Sequence, residues 1–204
     1  MTDVLRRVEL AADRTADIPV IPVIDDRHAE TRFAPGHAAQ DGQLVRSALS
    51  GDSSAFDALY ERYARIVHGL LLARVGRDEV DDLVQDVFLT AWRRLDALRD
   101  PAAFGGWIAT IARNRATDFH RRSEGFVELP ADLASPGDSS NGADANTALA
   151  AIRSLPGAYR ETLILRLVEG LSGPEIAERT GLTPGSVRVN LHRGMKMLRD
   201  KLNR

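Results

Sequence analysis

With 204 residues the chain has room for one medium domain or two small ones, and 44% hydrophobic, 5% aromatic and 27% charged residues suit a soluble, helix-rich protein better than a β-sandwich. It has no cysteine, which excludes disulfides, thiolate zinc sites and a cysteine nucleophile, and no run approaches the roughly 18 apolar residues a membrane helix needs. The net charge of −2 hides an asymmetry: residues 123–144 carry five acids and no base, whereas residues 145–204 carry ten bases and five acids, a basic block that suggests nucleic-acid contact.

Residues 1–42 read as a mostly disordered tail. Met1 to Leu10 mixes acids with bases and leads to no apolar core, so it does not resemble a signal peptide. The prolines of Ile18-Pro19-Val20-Ile21-Pro22-Val23-Ile24 forbid a helix there.

Residues 43–122 show helical periodicity interrupted at Gly51-Asp52, Gly76-Arg77 and Asp100-Pro101, which predicts an all-α domain of about four helices. Between Asp78 and Leu98, Val80, Leu83, Val84, Val87, Phe88, Ala91, Leu95 and Leu98 form one apolar stripe. Asp81, Asp82, Gln85, Asp86 and Arg93 surround Leu89 on the other side, with Trp92 at the border. That face suits a protein partner or simply water, since a single exposed leucine is ordinary.

The helix that begins near Pro101 is expected to bury Phe104, Ile108, Ile111, Ala112 and Phe119. Beside this stripe runs a polar row of Thr110, Asn114, Thr117, Asp118 and Arg121, with Trp107 upstream and Arg113 farther round. Asn, Arg and an indole suit unpaired bases, which can be hydrogen-bonded on their edges and stacked. Trp107 itself fits the core better, and a solvated polar row remains the alternative.

Residues 123–144, with Ser135-Pro136-Gly137-Asp138-Ser139-Ser140-Asn141-Gly142, read as a flexible acidic linker. Residues 145–204 then predict a second small helical domain, broken at Leu155-Pro156-Gly157, Gly170 to Pro174 and Gly181 to Pro184. Ser172 and Glu175 have capping-box spacing, Gly181 stops the short helix, and Thr183-Pro184 starts a longer basic one. This is a helix-turn-helix pattern. Val187, Leu191, Gly194, Leu198 and Leu202 should face inward, leaving Arg188, Val189, His192, Arg193, Lys196 and Arg199 outward. Arg188, His192 and Arg193 are the candidates for base-edge contacts in a major groove, and the later cations for phosphates. A basic solvated face on an ordinary helical hairpin is the competing reading, and a helix-turn-helix alone could equally belong to a response regulator or another activator.

Asp81-Asp82-Leu83-Val84-Gln85-Asp86-Val87-Phe88-Leu89-Thr90-Ala91-Trp92 resembles region 2.2 of extracytoplasmic-function RNA polymerase sigma factors of the sigma-70 family. Phe104-Gly105-Gly106-Trp107-Ile108-Ala109-Thr110-Ile111-Ala112-Arg113-Asn114-Arg115-Ala116-Thr117-Asp118 is similar to their regions 2.3 and 2.4. Leu155-Pro156 with Tyr159-Arg160-Glu161, Gly170-Leu171-Ser172, Glu175-Ile176-Ala177 and Gly185-Ser186-Val187-Arg188 resemble region 4. The likeness covers roughly residues 43–203 and leaves the tail outside it.

The resemblance implies an alternative sigma factor that binds core polymerase through the β′ clamp helices and the β flap and directs initiation at promoters with minus-10 and minus-35 elements. Asp81, Asp82, Gln85, Asp86, Leu89 and Trp92 would meet core polymerase. Trp107, Thr110, Arg113, Asn114, Arg115, Asp118 and Arg121 would meet the melted minus-10 element. Thr183, Ser186, Arg188, Val189, His192, Arg193 and Lys196 would meet the minus-35 element, Val189 departing from the polar residue often found at its position. The resemblance also implies a cytoplasmic protein with no membrane insertion, an anti-sigma factor that occludes both domains, and a linker threading toward the polymerase cleft. Nothing in the sequence suggests an enzyme or a cofactor: His28, His37, His68, His120 and His192 are scattered, with no nucleophile, metal or phosphate-loop motif beside them. The rival from outside the family is a helix-turn-helix regulator that binds operator DNA without joining polymerase.

Overall fold

A computed structural model describes residues 37–123 and 140–203. The described residues form eight α-helices: α1 (His37–Leu49), α2 (Ser53–Leu72), α3 (Val80–Arg93), α4 (Phe104–Ser123), α5 (Ser140–Arg153), α6 (Gly157–Leu167), α7 (Gly173–Thr180) and α8 (Pro184–Leu202). Two 3-10 turns, Leu95–Ala97 and Pro101–Ala103, link α3 to α4. The fold is all-α, as expected, with α1 to α4 in a first unit and α5 to α8 in a second. Residues 1–36 of the expected tail and residues 124–139 of the expected linker lie outside the described residues.

Local chemistry accounts for the breaks. Asp52 caps α2 by accepting from the Ser54 backbone N–H at 3.0 Å, and the Ser54 hydroxyl, donating to the same carboxylate, holds Asp52 below the usual carboxylate range. Asp100 accepts from the Ala102 N–H at 3.0 Å, and Pro101 opens the turn into α4. In the second unit the capping box is complete: Glu175 N–H donates to Ser172 Oγ at 3.3 Å while the Glu175 carboxylate accepts from Ser172 N–H at 2.8 Å. Burial works against the charged form of Glu175, yet the Ser172 hydrogen bonds and Arg179 hold it below its ordinary value. Gly181 ends α7 at φ 74°, a left-handed conformation that favours glycine.

The first helix starts inside the segment expected to be tail. Asp41 is buried, accepts the Tyr63 hydroxyl and pairs with Arg62, so α1, which begins at His37 rather than near Gln43, is anchored to α2 through Asp41. Burial, then Asp41, pushes the Tyr63 hydroxyl far above its ordinary pKa. At the other junction, the last residues of the expected linker, from Ser140, already belong to α5.

All eight stripe residues of the α3 segment are buried, from Val80 through Leu98. Phe104, Ile108 and Ala112 of α4 are buried as expected, but Ala109 and Ala116 take the deepest remaining places while Ile111 and Phe119 are only half-buried. Small residues win there because α4 is packed on α1, α2 and α3 along one side and on α7 near its start.

One apolar cluster runs through both units: Leu70, Leu71, Ile108 and Phe104 from the first join Leu163, Ile164, Leu165 and Ile176 from the second. The helix α2 is the shared spine, touching α1, α3 and α4 within its own unit and α6 and α7 across the junction. Burying each such leucine or isoleucine is worth about 1.5–3 kcal/mol, so the apolar contact dominates the junction. No helix among the described residues is long and apolar enough to cross a membrane.

Candidate functional site

Three surfaces carry the residues expected to act. On α3, Asp81 and Asp82 are exposed in the first turn, Gln85 and Asp86 are half-exposed, and Leu89 and Trp92 are 43% and 44% exposed. Trp92 does not float: its ring meets Phe56 edge-on with centroids 4.8 Å apart, and Phe56 in turn meets Phe88 at 6.4 Å. Holding one face of the indole against the core while the other stays open lowers the rotamer entropy lost on docking. Beneath the acidic rim, Tyr60 packs on Phe88 at 4.6 Å, and burial followed by the Asp81 charge raises its hydroxyl pKa. The result is an acidic rim around a fixed apolar pair, a shape suited to a basic protein surface.

On α4, the expected polar row stays together on one side of the helix. Thr110, Asn114, Thr117 and Arg121 are exposed along one strip, with Asp118 half-exposed and paired to Arg121 at 2.5 Å. Thr110 and Thr117 turn their hydroxyls back onto Gly106 and Arg113 carbonyls at 2.9 and 3.0 Å, leaving Asn114 as the free amide of the strip. Trp107 packs on Phe104 at 5.9 Å and is half-buried, mainly a core residue with one edge open. Arg113, expected farther round, and Arg115 lie off the strip: Arg115 pairs with Asp86 of α3, and Arg113 reaches Glu161 of α6, its Nε 3.1 Å from Oε2.

On α8, Arg188, His192, Arg193 and Lys196 are exposed on one face together with Val189, which is 45% exposed. Thr183 caps the helix by accepting from Ser186 N–H at 3.1 Å, and the two hydroxyls lie 2.8 Å apart, so both sit at the entry of the helix where a groove edge would pass. The opposite face is seated by Val187, Gly194 and Leu198; a Cβ on Gly194 would come within 3.1 Å of Leu163, so glycine lets α8 lie close on α6. Asn190 adds a 3.4 Å contact to Thr162. Leu202, expected to face inward, is 50% exposed as the last residue of α8.

Between the units lies a polar layer that sequence reasoning missed. Glu161, 8% exposed, pairs with Arg74 and with Arg113. Glu169, also buried, meets His68 at 2.6 Å and lies 3.8 Å from Arg65. From the second unit, Arg153 donates to the Leu72 and Val75 carbonyls at 3.0 and 2.9 Å, closing the C-terminus of α2, and Arg179 donates to the Arg62 carbonyl at 3.2 Å. Glu161 carried one readable signal: with Ile164, Leu165 and Val168 it shares a helical face, an acid on an apolar stripe. Its partners carried none.

The Sigma-70 region 2 family model matches residues 59–125, and the Sigma-70 region 4 model matches residues 146–198. The ECF RNA polymerase sigma-E factor of Haemophilus influenzae is 30% identical over 79% of this chain and 95% of its own. The ECF RNA polymerase sigma factor SigD of Mycobacterium tuberculosis is 33% identical over 86% of this chain and 92% of its own. Among solved structures, CnrH in complex with the cytosolic domain of CnrY aligns with TM-score 0.57 and 25% identity, over 80% of this chain and 97% of that one.

Proposed function

The chain belongs to the extracytoplasmic-function RNA polymerase sigma factors, alternative sigma subunits that direct promoter-specific initiation, and on that premise we propose how its three surfaces divide the work. The α3 face, with Asp81, Asp82, Gln85, Asp86, Leu89 and Trp92, docks on the β′ clamp helices of core polymerase. The α4 strip, with Trp107, Thr110, Asn114, Asp118 and Arg121, takes the unpaired minus-10 strand, with Arg113 and Arg115 joining it once released from their carboxylates. The α8 face, with Thr183, Ser186, Arg188, Val189, His192, Arg193 and Lys196, reads the minus-35 element in the major groove, and the second unit rests on the β flap.

The observation that carries this division is the exposure of Leu89 and Trp92 on an acidic rim in the unit that also carries the Asn114 strip. A regulator that binds operator DNA alone has no use for that rim. Core and minus-10 binding go to the unit expected at residues 43–122, which with α1 begins at His37; minus-35 binding goes to the unit expected at 145–204, which with α5 begins at Ser140; residues 124–139 remain for the connector and 1–36 for a tail.

Reaching both promoter elements requires the units to part. At 3.4 Å per base pair, elements about 25 positions apart lie about 85 Å from each other along the duplex, several times the radius of gyration of about 15 Å expected for a compact body of this size. The junction described above is therefore a closed state that core polymerase opens. A protein inhibitor that embraces both units is the expected counterpart, supported by a solved neighbour held by the cytosolic domain of a second protein.

Run-off transcription with purified core polymerase on a genomic promoter library tests the reading. Initiation from a defined promoter set that depends on this protein is the expected result; no initiation anywhere would remove it.

A further inference from the structure

Glu161 occupies an arginine pair that is oversupplied with positive charge. Arg74, just past the end of α2, and Arg113, on α4, converge on its carboxylate from the first unit. Arg160 stands beside Arg74, and its guanidinium is held below its ordinary pKa by burial and then by the Arg74 charge. Arg74 Nε is buried and finds no hydrogen-bond partner, so one carboxylate does not exhaust the donors present.

Glu161 leaves with the second unit when the junction opens, whereas Arg74 and Arg113 stay together on the first. His120 Nε2, 2.8 Å from the Arg74 carbonyl, ties that segment to α4 independently of the second unit. Two guanidiniums held a few ångströms apart, stripped of their carboxylate, make a fork-shaped anion site that matches a phosphodiester in charge and geometry.

The pair lies at the edge of the base-reading strip. On a helix of 3.6 residues per turn, Thr117 sits about 40° and Asn114 about 100° around α4 from Arg113. A strand whose bases meet Asn114 would run its backbone along that edge, since base contacts specify and adjacent phosphate contacts position.

Building on the sigma-factor reading, we propose that Arg74 and Arg113 form a phosphate site for the unpaired promoter strand, and that Glu161 fills this site in the closed state as an internal substitute for phosphate. The carboxylate therefore competes with DNA, and the free protein masks part of its own strand-binding surface until the second unit moves.

The test uses the full chain and a fluorescent oligothymidylate, with affinity followed by anisotropy across a salt series. Glu161→Gln should bind more tightly and steepen the slope of log K against log salt by about 0.7, because each phosphate engaged on single strands contributes about 0.7 and the fork takes one. Adding Arg74→Gln and Arg113→Gln to Glu161→Gln should return the slope to the wild-type value. An unchanged slope in Glu161→Gln, or a gain that survives loss of both arginines, overturns the proposal.

A second measurement does not depend on the fold of Glu161→Gln. In holoenzyme with native Glu161, Arg74→Gln with Arg113→Gln should make promoter opening less salt-dependent by about 0.7 in slope. No change there also overturns it. Wild-type initiation in the same assay separates the two levels: if wild type initiates normally while the slopes do not move, the phosphate site fails and the sigma-factor reading stands.

Discussion

Gly69→Ala sets two effects of known size against each other. Gly69 lies inside α2, where alanine is favoured over glycine by about 1 kcal/mol. That gain applies to every state in which α2 is helical. A Cβ at this position would lie 2.8 Å from both Glu169 Cγ and Leu165 Cδ2, each in the second unit, where contacts between carbons settle at about 3.5–4.0 Å. Relieving such overpacking costs about 1–3 kcal/mol, and only the closed state bears it. The closed-to-open ratio should therefore fall by about 5- to 150-fold while the helix itself gains stability. Because the chain has no cysteine, dyes can be placed cleanly through Asp96→Cys and Lys201→Cys, one exposed site in each unit. The expected result is lower energy transfer with helical circular dichroism retained. If transfer is unchanged and the melting temperature simply rises, the methyl has acted through helix propensity alone, and α2 does not lie against α6 as described.

Leu89→Asp should weaken binding to core polymerase without lowering the melting temperature, because a 43% exposed side chain tolerates charge; unchanged affinity in a pull-down with core would mean the face is merely solvated. Arg188→Ala or Arg193→Ala should cost about 1–3 kcal/mol on the preferred minus-35 sequence and relax specificity there, whereas equal loss on all sequences in a binding-site selection would reduce that arginine to a phosphate contact. Asp41→Ala leaves Arg62 and Tyr63 without their shared acceptor and should lower stability by about 3 kcal/mol in urea unfolding, a loss that a purely tail residue would not produce. Ser172→Ala should cost about 1 kcal/mol at neutral pH. Since the folded state holds Glu175 below its ordinary value, the stability tied to its ionised form is present above pH 4.5 and is lost as pH falls through the depressed value. The destabilisation by Glu175→Ala, followed by thermal melts from pH 7 downward, should shrink in that window.

Much of the architecture was legible in the linear sequence because the signals are local. The breaks at Gly51-Asp52, Asp100-Pro101, Gly170 to Pro174 and Gly181 to Pro184 coincide with observed helix ends, since caps, prolines and left-handed glycines act within a few residues of themselves. The α3 stripe was read correctly in full, because a 3.6-residue period leaves one face for the core whichever neighbour covers it. The exposed positions of Leu89, Asn114, Arg188 and His192 follow from the same period.

Other outcomes depended on the path of the chain. Arg113 and Arg115 share α4 with Asn114, yet each is drawn aside by a carboxylate on another helix, Glu161 being 48 residues away in sequence and Asp86 29. His68 and Glu169 are separated by 101 residues, and nothing in either neighbourhood announces the other. Asp41 looked like tail because its partners Arg62 and Tyr63 lie on the next helix. The sequence by itself thus determined the helices, their caps and the family, all set by interactions within a turn or two. The joining of two units into one core, and the guarding of an arginine pair by Glu161, were decided only by tertiary structure, because a buried charge takes its meaning from whichever distant group the fold brings to hydrogen-bonding distance.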